Sequence, residues 1–215
     1  MHTVQLQILK ELLFTPIARF RDLNNSGLTN DHFTFHLKQL IQDGLVEKAE
    51  DKYRLTIKGI EFAGRMDSEV VEIVRQPKLG VAVYVESEAK ILLGQRKKDP
   101  NKGELAILTR KVVMGESLLE TARKCLESET GLHAEFEQKG VMRVVKRKEG
   151  EITVDVLFVC FKAIKISGTL LLETPESINQ WYTPEEIESN SNLIDGLVED
   201  IKLYREEGRF FVERI

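Results

Sequence analysis

The sequence predicts a multi-domain protein, with a mainly α N-terminal domain and an α+β C-terminal domain built on a mixed sheet flanked by helices. Two observations predict this fold class. Apolar residues in the first 66 positions recur at helical spacing. From residue 79 onward, short β-branched and apolar runs alternate with polar turns. We therefore place one domain at residues 1–66, a linker at residues 67–78 and a second domain at residues 79–215.

The 215-residue chain has an ordinary globular composition, with 42% hydrophobic and 31% charged residues. Its apolar runs are shorter than the roughly 18 residues of a membrane-spanning helix. The chain does not open with a basic stretch and an apolar core, so we expect no secretory signal, no membrane partner and a cytoplasmic location. Cys125 and Cys160 lack zinc-ligand spacing and are too few for a disulfide framework, so we expect two buried, reduced thiols.

The N-terminal domain is predicted to contain helices and a two-stranded ribbon. The predicted elements are, in order, helices over residues 4–14, 19–23 and 30–43, strands over residues 45–48 and 52–55, and helical spacing from residue 56. A turn-forming cluster fills residues 24–27. Thr29 or Asn30 can cap the third helix, whose buried face includes Ile41, and Gly44 can end it in the left-handed conformation. Residues 67–75 of the linker have helical character.

Two segments of this domain, residues 32–46 and 53–59, resemble the winged helix-turn-helix domains of bacterial and archaeal transcription regulators. Those domains commonly show His-Leu-x-x-Leu, then Gly-Leu-Val, then a wing ending in Leu-Thr-x-x-Gly, and all three patterns occur here. The resemblance implies DNA binding. The residues that would face the major groove are Asn30, Thr34, Phe35, Lys38 and Gln39, and the wing residues that would reach phosphates are Lys48, Lys52 and Arg54.

The charge of this domain gives little support to DNA binding. Residues 1–66 carry 9 Lys and Arg against 8 Asp and Glu, and the remainder carries 22 against 27. DNA-binding modules usually have a basic face. Here a basic face has to come from the arrangement of the charges, since basic residues hardly outnumber acidic ones. A winged helix that contacts another protein therefore stays open as an alternative.

The C-terminal domain is predicted to contain strands, one central helix, more strands and a last helix. Strands are expected at residues 79–85, 90–96, 141–146 and 152–163, helices at residues 117–130 and 192–207, and one helical turn at residues 185–187. The polar residues 97–103 are predicted to form a loop. This order of elements is typical of an α+β domain.

Residues 110–132 resemble the Nudix box, whose pattern is G-x5-E-x7-R-E-U-x-E-E-x-G-U with U a bulky aliphatic residue. Glu116 stands at the first glutamate, Lys124 at the arginine, Glu129 at the last glutamate, and Gly131 at the closing glycine. A helix that only packs the domain would explain Gly131 as a cap, but not this joint spacing. The resemblance implies a Nudix fold and, for a complete box, hydrolysis of nucleoside diphosphate derivatives with Mg²⁺ or Mn²⁺.

The box departs from its pattern at three positions, with Arg110 at the first glycine, Cys125 at the second glutamate and Ser128 at the third. Box carboxylates bind divalent cations that bridge a diphosphate. A thiol and a hydroxyl are poor Mg²⁺ ligands. Glu127 lies about 100° around the helix from Ser128, and Glu120 lies on another face. We therefore expect a degenerate site.

The residual metal ligands of such a site would be Glu129 and Glu116. Acids outside the box, such as Glu151 or Glu173, could replace the missing metal-binding carboxylates. Cationic side chains can also bind an anionic ligand without a metal. Arg96, Arg110 and Lys111 are the candidates for this role, in what we expect to be a phosphate-facing loop. A further basic loop contains Lys97, Lys98 and Lys102.

Three functional hypotheses follow from these observations. The first is a transcription regulator, a homodimer that binds DNA through the winged helix and senses a nucleotide-like or phosphorylated metabolite through a catalytically degenerate Nudix-like domain. The second is a divalent-cation-dependent Nudix pyrophosphohydrolase acting on a nucleoside diphosphate derivative. The third is a protein-interaction module.

Overall fold

The computed structural model describes residues 1–24 and 28–215, and its contacts divide it into Met1–Gln76 and Pro77–Ile215. The turn expected at residues 24–27 falls mostly on residues 25–27, which lie outside the described residues. Each unit has a hydrophobic core of its own. Within the described ranges, no helix combines the length and the hydrophobicity that crossing a membrane requires.

The N-terminal unit combines helices with a small antiparallel sheet. Its elements are α1 (Thr3–Phe14), β1 (Ala18–Arg19), α2 (Phe20–Leu23), α3 (Asn30–Gln42), β2 (Val46–Ala49), β3 (Lys52–Leu55), α4 (Ile57–Ala63), β4 (Met66–Asp67) and β5 (Glu72–Ile73). One sheet has the strand order β1-β3-β2, and β4 pairs with β5 separately. The sequence predicts these helices and β2–β3, but two residues are too few to predict β1.

The core of this unit closes around the apolar faces of α1 and α3. Leu9 and Phe33 are almost completely buried, and Phe33 packs edge-on against Phe20 with 5.1 Å between ring centroids. Gly59 lies directly against the backbone of Leu45. A Cβ atom on Gly59 would lie 1.8 Å from the Leu45 carbonyl oxygen. Therefore α4 reaches this position only because residue 59 has no side chain.

Two expectations for this unit are wrong. Ile41 was expected on the buried face of α3, but it is 36% exposed, whereas Phe33 and Leu37 on the same helix are buried. Residues 67–75 form no helix, because β4 and β5 are joined there by a turn in which Val71 has φ of 57°. The β-branched residues of this segment fit extended strands better than a helix.

The C-terminal unit is an α+β fold. Its elements are β6 (Lys78–Tyr84), β7 (Glu86–Ser87), β8 (Lys90–Arg96), β9 (Leu105–Ala106), β10 (Leu108–Lys111), α5 (Leu118–Thr130), β11 (Leu132–Lys148), β12 (Glu151–Gly168), β13 (Ser177–Tyr182), α6 (Pro184–Glu188), α7 (Leu197–Arg205) and β14 (Phe210–Arg214).

A mixed five-stranded sheet forms the centre of this unit, with the strand order β10-β6-β12-β11-β14. Strand β6 is parallel to β12, and β14 is parallel to β11. Successive side chains of β6 point to opposite faces. Val81 and Val83 pack with α5, whereas Ala82 and Tyr84 pack with α7. The sheet is therefore flanked by a helix on each face, as the sequence predicts.

Two long strands, β11 and β12, form an antiparallel hairpin that runs past the other strands. They pair with each other from Leu132 with Gly168 to Lys148 with Glu151. Strand β6 covers only residues 156–162 of β12, and β14 covers only residues 140–144 of β11. A second sheet has the order β13-β8-β7, with β9 attached to β8.

The sequence-based prediction misses five strands of this unit, β7, β9, β10, β13 and β14. It also places the last helix too early, since α7 begins at Leu197, after Gly196 with φ of 78°. Strand β10 corrects a prediction that matters for function. Arg110 and Lys111 are not in a loop, because β10 pairs antiparallel with β6, opposite Val81 and Gly80.

Candidate functional site

Helix α5 positions the box residues. Ser117 caps its N-terminus by accepting a hydrogen bond from the Glu120 amide at 3.2 Å, and Gly131 ends it with φ of 71°. These bounds confirm the predicted helix. Cys125 and Leu126 are fully buried. We use the name box site for Arg110, Glu116, Lys124, Cys125, Ser128 and Glu129.

Glu116 and Lys124 form an ion pair at one end of the box site. Lys124 Nζ donates to Glu116 Oε1 at 2.6 Å, and Thr121 Oγ1 donates to Glu116 Oε2 at 2.8 Å. Mainly because of the Lys124 hydrogen bond, the pKa of Glu116 lies below its ordinary value. Both oxygens of Glu116 thus have protein donors, and its role here is to hold the start of α5.

Glu129 is a largely buried carboxyl group. Its pKa is raised to about 7, mainly by burial and then by the charge of Glu176, whereas the Cys125 hydrogen bond and the charges of Arg110 and Arg96 lower this pKa. Cys125 Sγ lies 3.8 Å from Glu129 Oε1. Near neutral pH this carboxyl group is therefore divided between its protonated and ionised forms.

Cys125 and Ser128 occupy the positions of the two lost glutamates. Burial, followed by the charge of Glu129, raises the pKa of the Cys125 thiol well above its ordinary value. Ser128 Oγ donates to the Lys124 carbonyl oxygen at 2.6 Å. At neutral pH, neither side chain contributes an anionic ligand atom.

Arg110 reaches across from β10 to the last turn of α5. Its Nη1 donates to Ser128 Oγ at 3.3 Å, and its charge lowers the pKa of both Cys125 and Glu129. Its Nε atom is buried and has no hydrogen-bond partner in the described chain. The guanidinium group therefore lies beside all three positions at which the box pattern has helix carboxylates.

A NUDIX domain family model matches residues 75–205, which is more than half of the chain. The chain belongs to the Nudix family. This match confirms the resemblance drawn from residues 110–132, and the α+β architecture agrees with it. No curated protein shows significant sequence similarity to the chain.

Solved structures similar to this chain include several Nudix proteins. A Mutator MutT protein from Bacillus halodurans is 25% identical, with a TM-score of 0.54 over 62% of this chain and 86% of that one. A MutT NUDIX hydrolase from Burkholderia pseudomallei is 19% identical, with a TM-score of 0.50 over 61% and 98%. The NUDIX domain of Shewanella oneidensis NrtR, complexed with ADP ribose, is 18% identical, with a TM-score of 0.53 over 67% and 95%.

The Nudix domain does not retain a ligand set that fits a divalent metal ion. In the described chain, no three His, Cys, Asp or Glu side chains are grouped to hold one. The two rescue acids do not reach the box site. Glu173 pairs with Lys97 at 2.7 Å, and Glu151 begins β12 at the tip of the long hairpin. Hard divalent cations prefer several oxygen ligands, whereas Glu129 has a cationic guanidinium group nearby.

Only two of the three predicted ligand-binding cations act on the box site. Arg110 and Arg96 both act on the carboxyl group of Glu129, and Arg96 Nε also donates to the Pro100 carbonyl oxygen at 2.9 Å. Lys111 follows Arg110 on a strand, so its side chain points to the opposite face. The nearby Lys97 and Lys98 are used in ion pairs with Glu173 and Glu176.

The predicted DNA-contacting residues of α3 are only partly free. Phe35 and Lys38 are exposed, and Thr34 is half-buried. Gln39 Nε2 donates to Asp43 at 3.2 Å, and the Asn30 side chain accepts a hydrogen bond from Asn24 at 3.2 Å.

The predicted wing residues lie on β2 and β3. Arg54 pairs with Glu47 at 2.6 Å, which neutralises one of the three cations. Lys48 Nζ lies 5.9 Å from the Tyr53 ring centroid, and Lys52 is exposed. Lys48 and Lys52 are thus the wing cations that could still contact phosphates.

Two residues of the Nudix domain that sequence reasoning missed hold or influence Glu129. Asn179 is 2% exposed, and its Nδ2 donates to the Glu129 carbonyl oxygen at 2.6 Å and to the Leu171 carbonyl oxygen at 2.9 Å. Glu176, near the start of β13, is the acid whose charge acts on Glu129. Asn179 lies on β13 and Glu176 directly precedes that strand, which the sequence did not predict and which lies about 50 residues from Glu129 along the chain.

Proposed function

We propose that the Nudix domain binds a nucleotide-like, phosphorylated ligand and no longer cleaves it efficiently. The observation that carries this proposal is that only Glu129 remains of the three helix carboxylates, while Glu116, Gly131 and the spacing of the box are kept. The Glu116–Lys124 pair and the left-handed Gly131 cap preserve the shape of the site. Loss of metal ligands removes the chemistry of hydrolysis, whereas the helix and the strand that flank the site remain.

The ligand class follows from the family. The solved NUDIX domain of NrtR is complexed with ADP ribose, so this nucleoside diphosphate derivative is a reasonable first probe. Isothermal titration calorimetry of the full chain with ADP-ribose tests binding, and high-performance liquid chromatography of the same sample tests cleavage. Binding without product supports the proposal. Absence of heat with ADP-ribose and with a panel of other nucleoside diphosphate derivatives would contradict it.

The second candidate function is a divalent-cation-dependent pyrophosphohydrolase. The family match and the similarity to a MutT NUDIX hydrolase favour this alternative over transcription regulation, which no comparison supports. Within the site, the charge of Glu176 acts on Glu129, so a pair of acids from α5 and the β13 region could form a reduced metal site. Phosphate-product release in Mn²⁺, abolished by Glu129→Gln but not by the control Glu127→Gln, would establish this function. Glu127 contacts His133 at 2.9 Å.

For the N-terminal unit we propose a winged helix that binds DNA as part of a homodimeric transcription regulator. The order α1-β1-α2-α3-β2-β3, in which β1 completes a three-stranded sheet, supports this proposal. The exposed Lys38, Lys48 and Lys52 are the residues we expect to contact phosphates.

Fluorescence anisotropy with DNA fragments from the promoter region of its own gene tests this proposal, and sedimentation analysis tests the dimer. Each phosphate contact adds about 0.9 to the slope of log affinity against log salt, so Lys52→Gln should lower the slope by about 1. Lys10→Gln on α1 is the matched control. Binding that is absent or insensitive to salt would favour the protein-interaction alternative.

A further inference from the structure

Arg110 carries a positive charge that the described residues leave without an ion pair. Among the described residues, its side chain has one hydrogen bond, which goes to the neutral hydroxyl of Ser128. Its buried Nε donor has no partner in residues 1–24 and 28–215. A buried donor on a charged group costs free energy when it is left unpaired. The site is therefore incomplete without an acceptor, and a negatively charged acceptor also satisfies the charge.

Arg110 points towards the helix positions at which the box pattern has metal-binding carboxylates. Besides Lys124, whose pKa its charge lowers, Arg110 contacts or influences Ser128, Cys125 and Glu129. Ser128, Cys125 and Glu129 stand at the three positions that hold helix carboxylates in the Nudix box. Ser128 uses its own hydrogen on the Lys124 carbonyl oxygen, so it can only accept from Arg110. A single substituted residue thus places a cation where the pattern gathers anions around a metal ion.

We infer that the guanidinium group of Arg110 takes the place of the divalent cation, so that the Nudix domain holds the phosphoryl group of its ligand directly and without a metal ion. This inference rests on the proposed function and specifies how the ligand is anchored. An arginine fork matches two oxygens of a phosphoryl group through parallel hydrogen bonds. Such a fork consists of the Nε donor and an Nη donor, and because Nε is buried, ligand binding has to displace the side chains that now cover it.

The charges around Arg110 are compatible with an anion. Arg96 adds a second positive charge from β8. The opposing charges are those of Glu129 and Glu176, and Lys98 pairs with Glu176. Glu116 is neutralised by Lys124. A divalent cation at the same place would meet two guanidinium groups and one largely buried acid, which disfavours its binding.

Titration calorimetry of the full chain with inorganic pyrophosphate and with ADP, each in EDTA, tests the inference. We expect both to bind without metal, and Arg110→Gln to weaken them about 10- to 100-fold, the loss typical of a hydrogen bond to a charged group. Arg110→Lys keeps the charge without the fork and should fall between wild type and Arg110→Gln. The matched control is Arg123→Gln, since Arg123 lies on the exposed side of α5 and pairs with Glu120. It should bind like wild type.

Mn²⁺ alone provides a second readout, by electron paramagnetic resonance of the free ion. The wild-type chain should leave Mn²⁺ free, whereas Arg110→Gln combined with Ser128→Glu should bind it. Circular dichroism of each variant establishes that the fold is kept.

The outcomes separate this inference from the proposed function. ADP-ribose binding that needs Mn²⁺ and is lost in EDTA would overturn the role of Arg110 and leave the ligand class intact. Equal losses in Arg110→Gln and Arg123→Gln would also overturn it. Failure of every nucleotide to bind, with or without Mn²⁺, would instead reject the proposed function and the inference together.

Discussion

Replacing Asn179 with alanine should destabilise the Nudix domain at the end of α5. The side chain of Asn179 is almost completely buried, and its amide donates to the carbonyl oxygens of Glu129 and Leu171. Each lost hydrogen bond that leaves a buried acceptor unpaired costs about 1–3 kcal/mol. With two acceptors affected, we expect the free energy of unfolding to fall by about 2–6 kcal/mol.

The unfolding of this domain can be followed by a single fluorophore. Trp181 is the only tryptophan of the chain, it lies two residues from Asn179 on β13, and it packs against the core under α5. Urea titrations followed by its fluorescence should give a lower midpoint for Asn179→Ala. The exposed Asn192 provides the control variant Asn192→Ala. If both variants shift the midpoint equally, or neither changes stability by more than about 0.5 kcal/mol, the contribution assigned to the two hydrogen bonds is wrong.

Three further predictions concern other parts of the chain. Gly59→Ala should lower the stability of the N-terminal unit by more than about 2 kcal/mol, because the new Cβ meets the Leu45 carbonyl oxygen. Circular dichroism would detect this loss, and a stability equal to that of the control Gly64→Ala would contradict the prediction. Leu126→Ala should cost about 2–5 kcal/mol in the Trp181 assay, because Leu126 is fully buried; a loss below 1 kcal/mol would mean that the core collapses around the change. Glu129 has a pKa of about 7 against an ordinary 4.5, so the folded state keeps a proton that the unfolded state releases, and stability should fall as pH rises through this window. Glu129→Gln should remove about 2–3 kcal/mol of that decline, and a wild-type stability curve that is flat from pH 5 to 8 would show that the carboxyl group titrates normally.

Elements with strong local signals were predictable from the sequence. Helix α5 has a serine cap, a regular apolar face and a terminal glycine, and both of its bounds were found where predicted. Helix α3 likewise ends before Gly44, which has φ of 70°. The spacing of Glu116, Lys124 and Glu129 predicted the family, because that pattern combines several positions of one helix. Such signals lie within about 20 residues of each other.

Features that depend on distant parts of the chain were not predictable in this way. Strand β10 has only four residues and is a strand because β6 offers it backbone partners. The acid that acts on Glu129 is Glu176, and nothing local marks it as part of the site. The role of Arg110 was predictable only in part: its sequence position suggested anion binding, but its hydrogen bond to Ser128 depends on how β10 packs beside α5.

The long hairpin implies uneven local stability within the Nudix domain. The backbones of β11 and β12 within residues 145–155 pair only with each other, whereas residues 156–162 also have β6 as a neighbour. A two-stranded ribbon without a third strand is marginal in water. Backbone amides near the tip should therefore exchange with deuterated solvent much sooner than those beside β6. A protease that cuts this tip would leave the sheet centre and the box site assembled.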